Sequence, residues 1–434
     1  MKTSRQSVLT TVTFLLVMTF SATLNAQSFV PFSQFVSSTS AASANQYVGQ
    51  PGFAVQDNST FSQMQQYILT LYQGVQVSQS FFLYGQYYDC VPITEQPSYV
   101  QLGLKSVASP PPAVGPSGTS SETFSPQLGS DDQFDQFGDS TTCSQGTIPM
   151  RRIGLNEVAS FATLSDFLNK APDGTGEVPG IDAPVASHKY AYTNQAVNNL
   201  GGNSALNLWS PAVNTRAGQV FSLSQQWYTG GAGNNLQTVE GGWQNYPAKY
   251  GDQNSRLFIF WTADNYGQLK CYNLDCPAFV QVSNQWHLGG KFTNYSTSGG
   301  TQYYFTMTWY LYQGNWWLGL GNDTARTWVG YYPGAIFRGG QMSRNATSIL
   351  YGGETVGDGS WGPMGSGAFA NRGYSFAAYQ RQVFYITTNN VSAWANLTAQ
   401  QPSPACYTVN GPLTGNNVFW GQYFFFGGPG GNNC

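Results

Sequence analysis

Two glutamates lie in similar glycine-containing segments and are the side chains best suited to acid–base chemistry. Glu240 stands in the segment TVEGGW and Glu354 in YGGETV. Small neighbours let another backbone or a ligand come close to a carboxyl group. A single glutamate is more often a solvated surface residue. Because the chain holds only six glutamates and 9% charged residues, two such similar sites favour a shared function.

Two carboxyl groups that face each other share a proton, because neighbouring like charges do not both ionise cheaply. One group then acts as a general base on water, and the other as a general acid or oxyanion stabiliser. This chemistry needs no metal and no cofactor, and we expect neither. The chain has two histidines, His188 and His287, too few for most zinc enzymes and Ser-His or Cys-His hydrolases. We interpret both as structural.

From about His188 onward, the sequence predicts an all-β domain, an antiparallel β-sandwich. Residues 302–312 alternate between an apolar face and an amphipathic aromatic face, which is typical of a strand. Strand-like runs separated by turn residues, with no helices between them, indicate a sandwich. The clearest predicted strands are 221–228, 256–262, 279–283, 302–313, 315–321, 328–332, 348–352 and 379–388.

A smaller mixed α+β region is predicted before this domain. Residues 1–26 have the charged start and short apolar run of a signal peptide. Residues 27–185 form an N-terminal region, a possible propeptide. In it we predict helices at 58–73 and 156–169, a strand at 80–88, and a low-complexity loop at 105–142. A proline-bearing linker at 171–184 is a possible cleavage site.

The six cysteines and the leader predict a secreted, extracellular protein. Six cysteines allow 15 pairings, of which we favour the local set Cys90–Cys143, Cys271–Cys276 and Cys406–Cys434. A net charge of −3 without a basic patch argues against nucleic-acid binding. After the leader, no stretch is long and apolar enough to predict a membrane span. We expect a monomer.

Several motifs in the same order resemble the neprosin family. They are SQQW at 224–227, TVEGGWQNYP at 238–247, WTADNY at 261–266, CYNLDC at 271–276, GYYPG at 330–334, YGGE at 351–354 and PMGSG at 363–367. The resemblance covers residues 186–434. It implies a secreted glutamic peptidase with a β-sandwich fold, a prolyl endopeptidase active at acid pH and acting without a metal.

The resemblance also implies site residues. The two catalytic glutamates of the family correspond to Glu240 and Glu354. Gly241 stands where plant members often have alanine, and Tyr351 where tryptophan is usual. The N-terminal region resembles the plant activation domain weakly, and this resemblance implies a role as an inhibitory prosegment. The implied partners are peptide or protein substrates that contain proline.

Further residues are candidates for binding the substrate. Gln226 or Gln225 is a candidate oxyanion donor, with hydrogen bonding between strands as the alternative. Trp243, Trp261 and Tyr351 are candidate walls of a proline pocket, because a proline ring stacks well on aromatic rings; core packing is the alternative.

Two other functions remain open at the level of the sequence. An aromatic-rich secreted sandwich that lacks activity would bind glycans or a cell surface. The same two carboxyl groups would also suit a glycosidase, in which their spacing sets the stereochemistry.

Overall fold

The computed structural model describes residues 28–115, 134–170, 188–321, 326–417 and 419–434. The predicted signal peptide, the linker at 171–184 and residues 116–133 of the low-complexity loop lie outside these ranges. Within them, no helix is both long enough and apolar enough to cross a membrane.

The described part of the N-terminal region combines short α-helices with a three-stranded antiparallel sheet. The mixed α+β character predicted for it is confirmed. Its elements are α1 Phe32–Ala41, α2 Asn58–Leu71, β1 Gln79–Leu83, β2 Gln86–Pro92, α3 Pro97–Gln101, β3 Thr147–Arg151, α4 Leu155–Val158 and α5 Leu164–Leu168.

Helix α2 forms where its periodicity predicts it. The apolar stripe of Phe61, Met64, Ile68 and Leu71 is buried. The side chain of Asp57, one residue before the helix, accepts a hydrogen bond from the Thr60 amide, which satisfies a free N–H group of the first turn. This stripe belongs to a hydrophobic cluster that continues into the large sheet, so the N-terminal region shares its core with the second half of the chain.

Two predictions in the N-terminal region are wrong in detail. The strand predicted at 80–88 is a hairpin, because Tyr84 and Gly85 both have positive φ and form its turn. The helix predicted at 156–169 is two short helices, α4 and α5, with Thr163 capping the second through a capping box.

The second half of the chain forms one antiparallel network of 15 strands within the described residues. Its elements are β4 His188–Asn207, β5 Gln219–Gly230, β6 Gln237–Asn245, α6 Pro247–Tyr250, β7 Arg256–Thr262, β8 Lys270–Tyr272, β9 Val280–Gln281, β10 Tyr304–Tyr312, β11 Asn315–Gly321, β12 Arg326–Pro333, β13 Ala346–Gly357, β14 Ala378–Thr387, β15 Ser392–Trp394, β16 Thr398–Gln400, β17 Thr408–Thr414 and β18 Gln422–Gly427.

The strands of this network are arranged in layers that face each other. The main path runs β8-β7-β6-β5-β13-β4-β10-β11-β12-β9, and β14 also pairs with β4. The first half of β4 pairs with β13 and its second half with β10. A Cβ atom on Gly241 of β6 would lie 2.9 Å from the sulfur of Met307 on β10, so these layers pack face to face. The predicted all-β antiparallel fold is confirmed.

Each predicted strand of the second half coincides with an observed strand, but the longest one was not predicted. Strand β4 spans 20 residues and contains Gly201 and Gly202, with a positive φ at Gly201. It pairs with strands on both of its edges, and its second half is buried on both faces. The polar/apolar alternation that reveals a half-exposed strand is therefore missing.

All three favoured disulfides are present. Cys90 pairs with Cys143, Cys271 with Cys276, and Cys406 with Cys434. The first joins β2 to the segment before β3, and the last ties the end of the chain to the segment before β17.

Gly242, two residues after Glu240, is required by the close approach of β5. A Cβ atom at Gly242 would lie 1.9 Å from the backbone oxygen of Ser224. At Gly241 the nearest atom is the end of the flexible Met307 side chain. We expect Gly242→Ala to lower the free energy of unfolding by about 3 kcal/mol and Gly241→Ala to lower it less. Urea unfolding of both variants tests this, and equal losses would contradict it.

Candidate active site

Strand register places Glu240 and Glu354 on the same face of the sheet. Strand β5 lies between β6 and β13, with Glu240 opposite Trp227 and Glu354 opposite Leu223. Because side chains alternate between faces along a strand, Leu223 and Trp227 share a face, and so do the two glutamates. We call this the carboxylate face, and Glu240 with Glu354 the glutamate pair.

The ammonium group of Lys170 lies between the two carboxyl groups. Its Nζ is 2.7 Å from Glu240 Oε2 and 2.8 Å from Glu354 Oε2. All three side chains are fully buried. Lys170 follows α5, so the N-terminal region covers the carboxylate face. One lysine therefore brings together two glutamates that are 114 positions apart in the sequence.

The segment before Lys170 is held on this face by two side chains of the second half. The Tyr272 hydroxyl donates to the Lys170 carbonyl at 3.3 Å. The Lys249 ammonium donates to the Phe167 carbonyl at 3.2 Å and lies 3.8 Å from the centre of the Phe167 ring. The position of Lys170 is thus fixed by its backbone as well as by its charge.

Glu240 accepts hydrogen bonds at both oxygens. Its Oε1 accepts from the hydroxyls of Thr238 and Tyr266, both at 2.8 Å. Its Oε2 accepts from the Gln225 amide at 3.2 Å as well as from Lys170. Burial and the neighbouring charge of Glu240 raise the pKa of Tyr266 well above its usual value, so Tyr266 remains a neutral donor.

Glu354 has a different environment, because its second partner is a histidine. His188 Nδ1 lies 2.6 Å from Glu354 Oε1, and the His188 side chain is 1% exposed. Burial alone would raise the pKa of Glu354, but the charge of Lys170 and the contact with His188 outweigh it, so this pKa is lowered. Glu354 therefore stays ionised into more acidic solution than an ordinary glutamate.

The pKa of Lys170 is raised by the same arrangement. Burial alone would lower it, but attraction to Glu240 and Glu354 and the hydrogen bonds to them outweigh burial. Lys170 is therefore charged throughout the acid and neutral range.

The two candidate glutamines lie on opposite faces. Gln225 shares the carboxylate face and reaches Glu240, whereas Gln226 donates to Ser204 Oγ at 2.8 Å and to the Met307 carbonyl at 2.9 Å. Gln226 thus makes hydrogen bonds between the layers, which was the alternative to a role as oxyanion donor. Gln225 is the glutamine beside the glutamate pair.

The three aromatic residues predicted to line a proline pocket lie on the reverse of the carboxylate face. Trp243 is opposite Ser224, Tyr351 opposite Gln226, and Trp261 opposite Val239. Trp243 and Tyr351 are each three positions from the glutamate of their own strand, and Trp261 follows Phe260, the strand partner of Glu240. Because side chains alternate between faces, all three point away from the carboxylate face and into the interior. Trp243 is fully buried, and its indole N–H donates to the Asn207 carbonyl at 2.9 Å. The structure places these side chains in the core, and core packing was the alternative to a role in a proline pocket.

Other aromatic residues occupy the carboxylate face instead. Trp227 and Phe260 are the strand partners of Glu240 on its two sides. The Lys170 ammonium lies 5.3 Å from the centre of the Trp227 ring, a cation–π contact. Period-2 alternation along β6 was the sequence signal that would have excluded Trp243, whereas Trp227 is placed beside Glu240 by the pairing of β5 with β6.

Sequence reasoning missed Lys170 and the partner role of His188. Lys170 is the last residue before the proline-bearing linker and follows no pattern that points to a site. His188 was interpreted as structural, and only the pairing of β4 with β13 brings it to Glu354. Among the described residues, no group of three or more His, Cys, Asp and Glu side chains is arranged to hold a metal ion.

The amino-acid sequence was also compared with known protein families. Residues 218–429 match the Neprosin family. The matched stretch contains both glutamates, Gln225 and Trp227, and the resemblance predicted from the motifs is confirmed. The match supports a peptidase of the glutamic type.

Two solved structures are similar over part of the chain. Both are of scytalido-glutamic peptidase, one with a transition state analog inhibitor and one with a peptide-based transition state analog. They are 11% and 10% identical to this chain, cover 57% and 56% of it and 100% and 98% of their own chains, and have TM-scores of 0.30 and 0.28. Similarity this weak assigns neither a function nor a residue role.

The lowered pKa of Glu354 predicts an acid-sensitive contribution to stability. A group whose pKa is lower in the folded than in the unfolded state stabilises the protein at pH values above its unfolded-state pKa. This contribution is lost as the pH falls through its folded-state pKa. We therefore expect the stability difference between wild type and Glu354→Gln to shrink between about pH 6 and about pH 3. Urea unfolding across this range measures the difference.

A second variant serves as the control. Lys170→Met removes the charge that lowers the pKa of Glu354, so the acid-dependent part of the difference should be smaller when Glu354→Gln is made in that background. Parallel stability curves for wild type and Glu354→Gln would contradict the prediction.

Proposed function

We propose that this protein is an acid-active endopeptidase that cleaves after proline and uses Glu240 and Glu354 as its acid–base pair. The observation that carries the proposal is the meeting of these two buried carboxyl groups at one ammonium, within a neprosin domain. Carboxyl groups this close to one cation would repel each other if the cation left, and this repulsion favours protonation of one of them.

The proposed reaction is direct attack of water on the peptide carbonyl. The ionised carboxylate removes a proton from the water as it attacks, and the protonated carboxyl donates its proton to the leaving amine. The pair then holds the same number of protons as before. The Gln225 amide, beside Glu240, is the candidate donor to the oxyanion.

Preference for proline is supported by the aromatic residues on the carboxylate face. Trp227 lies directly opposite Glu240, and the N-terminal region covers its ring in this structure. Once uncovered, the flat indole would offer a proline ring a stacking surface next to the acid–base pair. We propose Trp227, in place of Trp243, Trp261 and Tyr351, as the proline contact.

We further propose that the N-terminal region keeps the enzyme latent through Lys170. Its ammonium occupies the space between the carboxyl groups, where water and the peptide bond would react. Because Glu354 loses its charge only below its lowered pKa, its ion pair with Lys170 is strong at neutral pH and fails in acid. Cleavage within the linker at 171–184 would make the release permanent.

The compartment and assembly state are also proposals. The pairing of every cysteine supports an oxidising, extracellular location reached through the predicted signal peptide. We propose that the protein acts there as a monomer on proline-containing peptides or proteins.

The proposal predicts that either glutamate is essential. We expect Glu240→Gln and Glu354→Gln to lose at least about 10³-fold in kcat/KM. The assay is cleavage of a fluorogenic peptide with proline before the scissile bond, alongside its alanine counterpart, between about pH 2.5 and about pH 7. Wild type should prefer the proline peptide, and activity should survive pepstatin and a chelator.

Glu157→Gln is the matched control, because it removes a glutamate that pairs with Arg151 at 2.6 Å in the N-terminal region. Activity in both pair variants would show that the wrong residues are named. No cleavage by acid-treated wild type would favour the glycan-binding alternative, and sugar release without peptide cleavage would favour a glycosidase.

Latency through Lys170 predicts a gain of activity in a variant. Lys170→Met keeps much of the side-chain volume but removes the charge, so the full chain should cleave the proline peptide about tenfold faster than wild type at about pH 6, before any acid incubation. Initial rates, with electrophoresis to follow processing, measure this effect.

Lys105→Met is the control, because Lys105 is exposed. Equal initial rates for wild type and Lys170→Met would reject this latency mechanism. N-terminal sequencing after acid incubation tests the cleavage site, and a mature start far from 171–184 would reject processing in that linker.

A further inference from the structure

His188 is a buried partner of the glutamate pair that the proposed reaction has not yet used. It begins β4 opposite Val356, and its Nδ1 lies 2.6 Å from Glu354 Oε1. The hydroxyl of Tyr190 lies 3.1 Å from the same nitrogen. The contact with Glu354 is therefore held by strand pairing, independently of the N-terminal region.

We propose that protonated His188 is the cation that stays beside the glutamate pair after Lys170 leaves, and that it keeps Glu354 ionised and oriented in acid. This inference rests on the proposed peptidase function and deepens it. His188 acts through Glu354, so it is a positioning residue.

The groups around Glu354 single out His188. His188 and Tyr190 face it from β4, and Lys170 from the N-terminal region. Glu240 faces it from β6, Tyr266 from the loop after β7, and Tyr272 from β8. Tyrosine hydroxyls are neutral in acid. Of the described residues, Lys170 and His188 form the ion pairs with Glu354.

Departure of Lys170 would leave two carboxyl groups facing each other in a buried site. Repulsion between them would then favour protonation of one, and burial would favour protonation of the other as well, which would remove the base. A histidine in acid solution carries the positive charge that opposes this second protonation. His188 thus allows the pair to hold one proton at a pH at which it would otherwise hold two.

The contact also orients the carboxylate. His188 binds Oε1, whereas Lys170 contacts Oε2 of Glu354 and Oε2 of Glu240. With His188 in place, Oε2 of Glu354 remains directed toward Glu240. This is the oxygen that is free to accept the proton of the attacking water.

The proposal predicts a shift of the acid limb of the pH–activity profile when His188 is replaced. Loss of the His188 charge would raise the pKa of Glu354, so the limb should move to higher pH. For His188→Leu, we expect kcat/KM on the wild-type acid limb to fall about tenfold, the effect of about one pKa unit. The full chain, activated by acid incubation, is assayed on the proline peptide across the pH range.

His188→Asn separates charge from hydrogen bonding. Its amide nitrogen stands near the position of Nδ1 and donates without a charge, so kcat/KM at the optimum should recover while the acid limb stays shifted. His287→Asn is the matched control: His287 packs against Phe81 and Tyr88, and burial lowers its pKa to about 4. An acid limb unchanged in both His188 variants overturns the proposal while the peptidase assignment stands.

A spectroscopic measurement tests the contact without activity. The chain has only two histidines, so ¹⁵N-histidine labelling of the full chain gives two ring systems, and His287→Asn assigns them. We expect the His188 Nδ1 proton far downfield in wild type and displaced in Glu354→Gln. An identical His188 signal in both proteins overturns the pairing, whether or not the protein cleaves peptides.

Discussion

The contact of one ammonium with two buried carboxylates is the constraint on which the rest of this structure depends. An unpaired charge at any of the three positions would be strongly unfavourable away from water. The arrangement therefore requires that the N-terminal region cover the sheet and that Glu240 and Glu354 share one face. It also makes the covered form most stable where both carboxyl groups are ionised, whereas the proposed reaction requires one of them to be protonated.

Strand alternation decides which neighbours of the pair are available for chemistry. On β5, Gln225 and Trp227 reach the carboxylate face, while Gln226 between them binds the opposite layer. The same rule sends Trp243 to the core. A shift of one residue in register would exchange these sets completely. At Gly242 the backbone of β5 lies so close that a side chain is excluded, so glycine permits the register of β6 and β5 that the site needs.

Much of the fold and the centre of the site were predictable from sequence. Alternation gave the strands, the stripe on α2 gave a buried helix, and the two glutamate motifs gave the pair. The remainder depends on pairing between distant segments. Nothing near Lys170 in sequence indicates that it lies between Glu240 and Glu354, and His188 reaches its partner only because β4 runs beside β13. Period-2 alternation alone separates Gln225 from Gln226, but only the register of β5 against β6 shows that Gln225 shares the face of Glu240.

Strand β4 pairs with β10, β13, β14 and β16, which lie between residues 304 and 400. Its full set of hydrogen bonds cannot form until residue 400 has been synthesised, because synthesis proceeds from the N-terminus. The helices and the small sheet of the N-terminal region depend on much closer segments and are synthesised first. Lys170 therefore exists, on an already emerged segment, before Glu354 has been made. In the order of biosynthesis, the cation that occupies the pair precedes the pair itself.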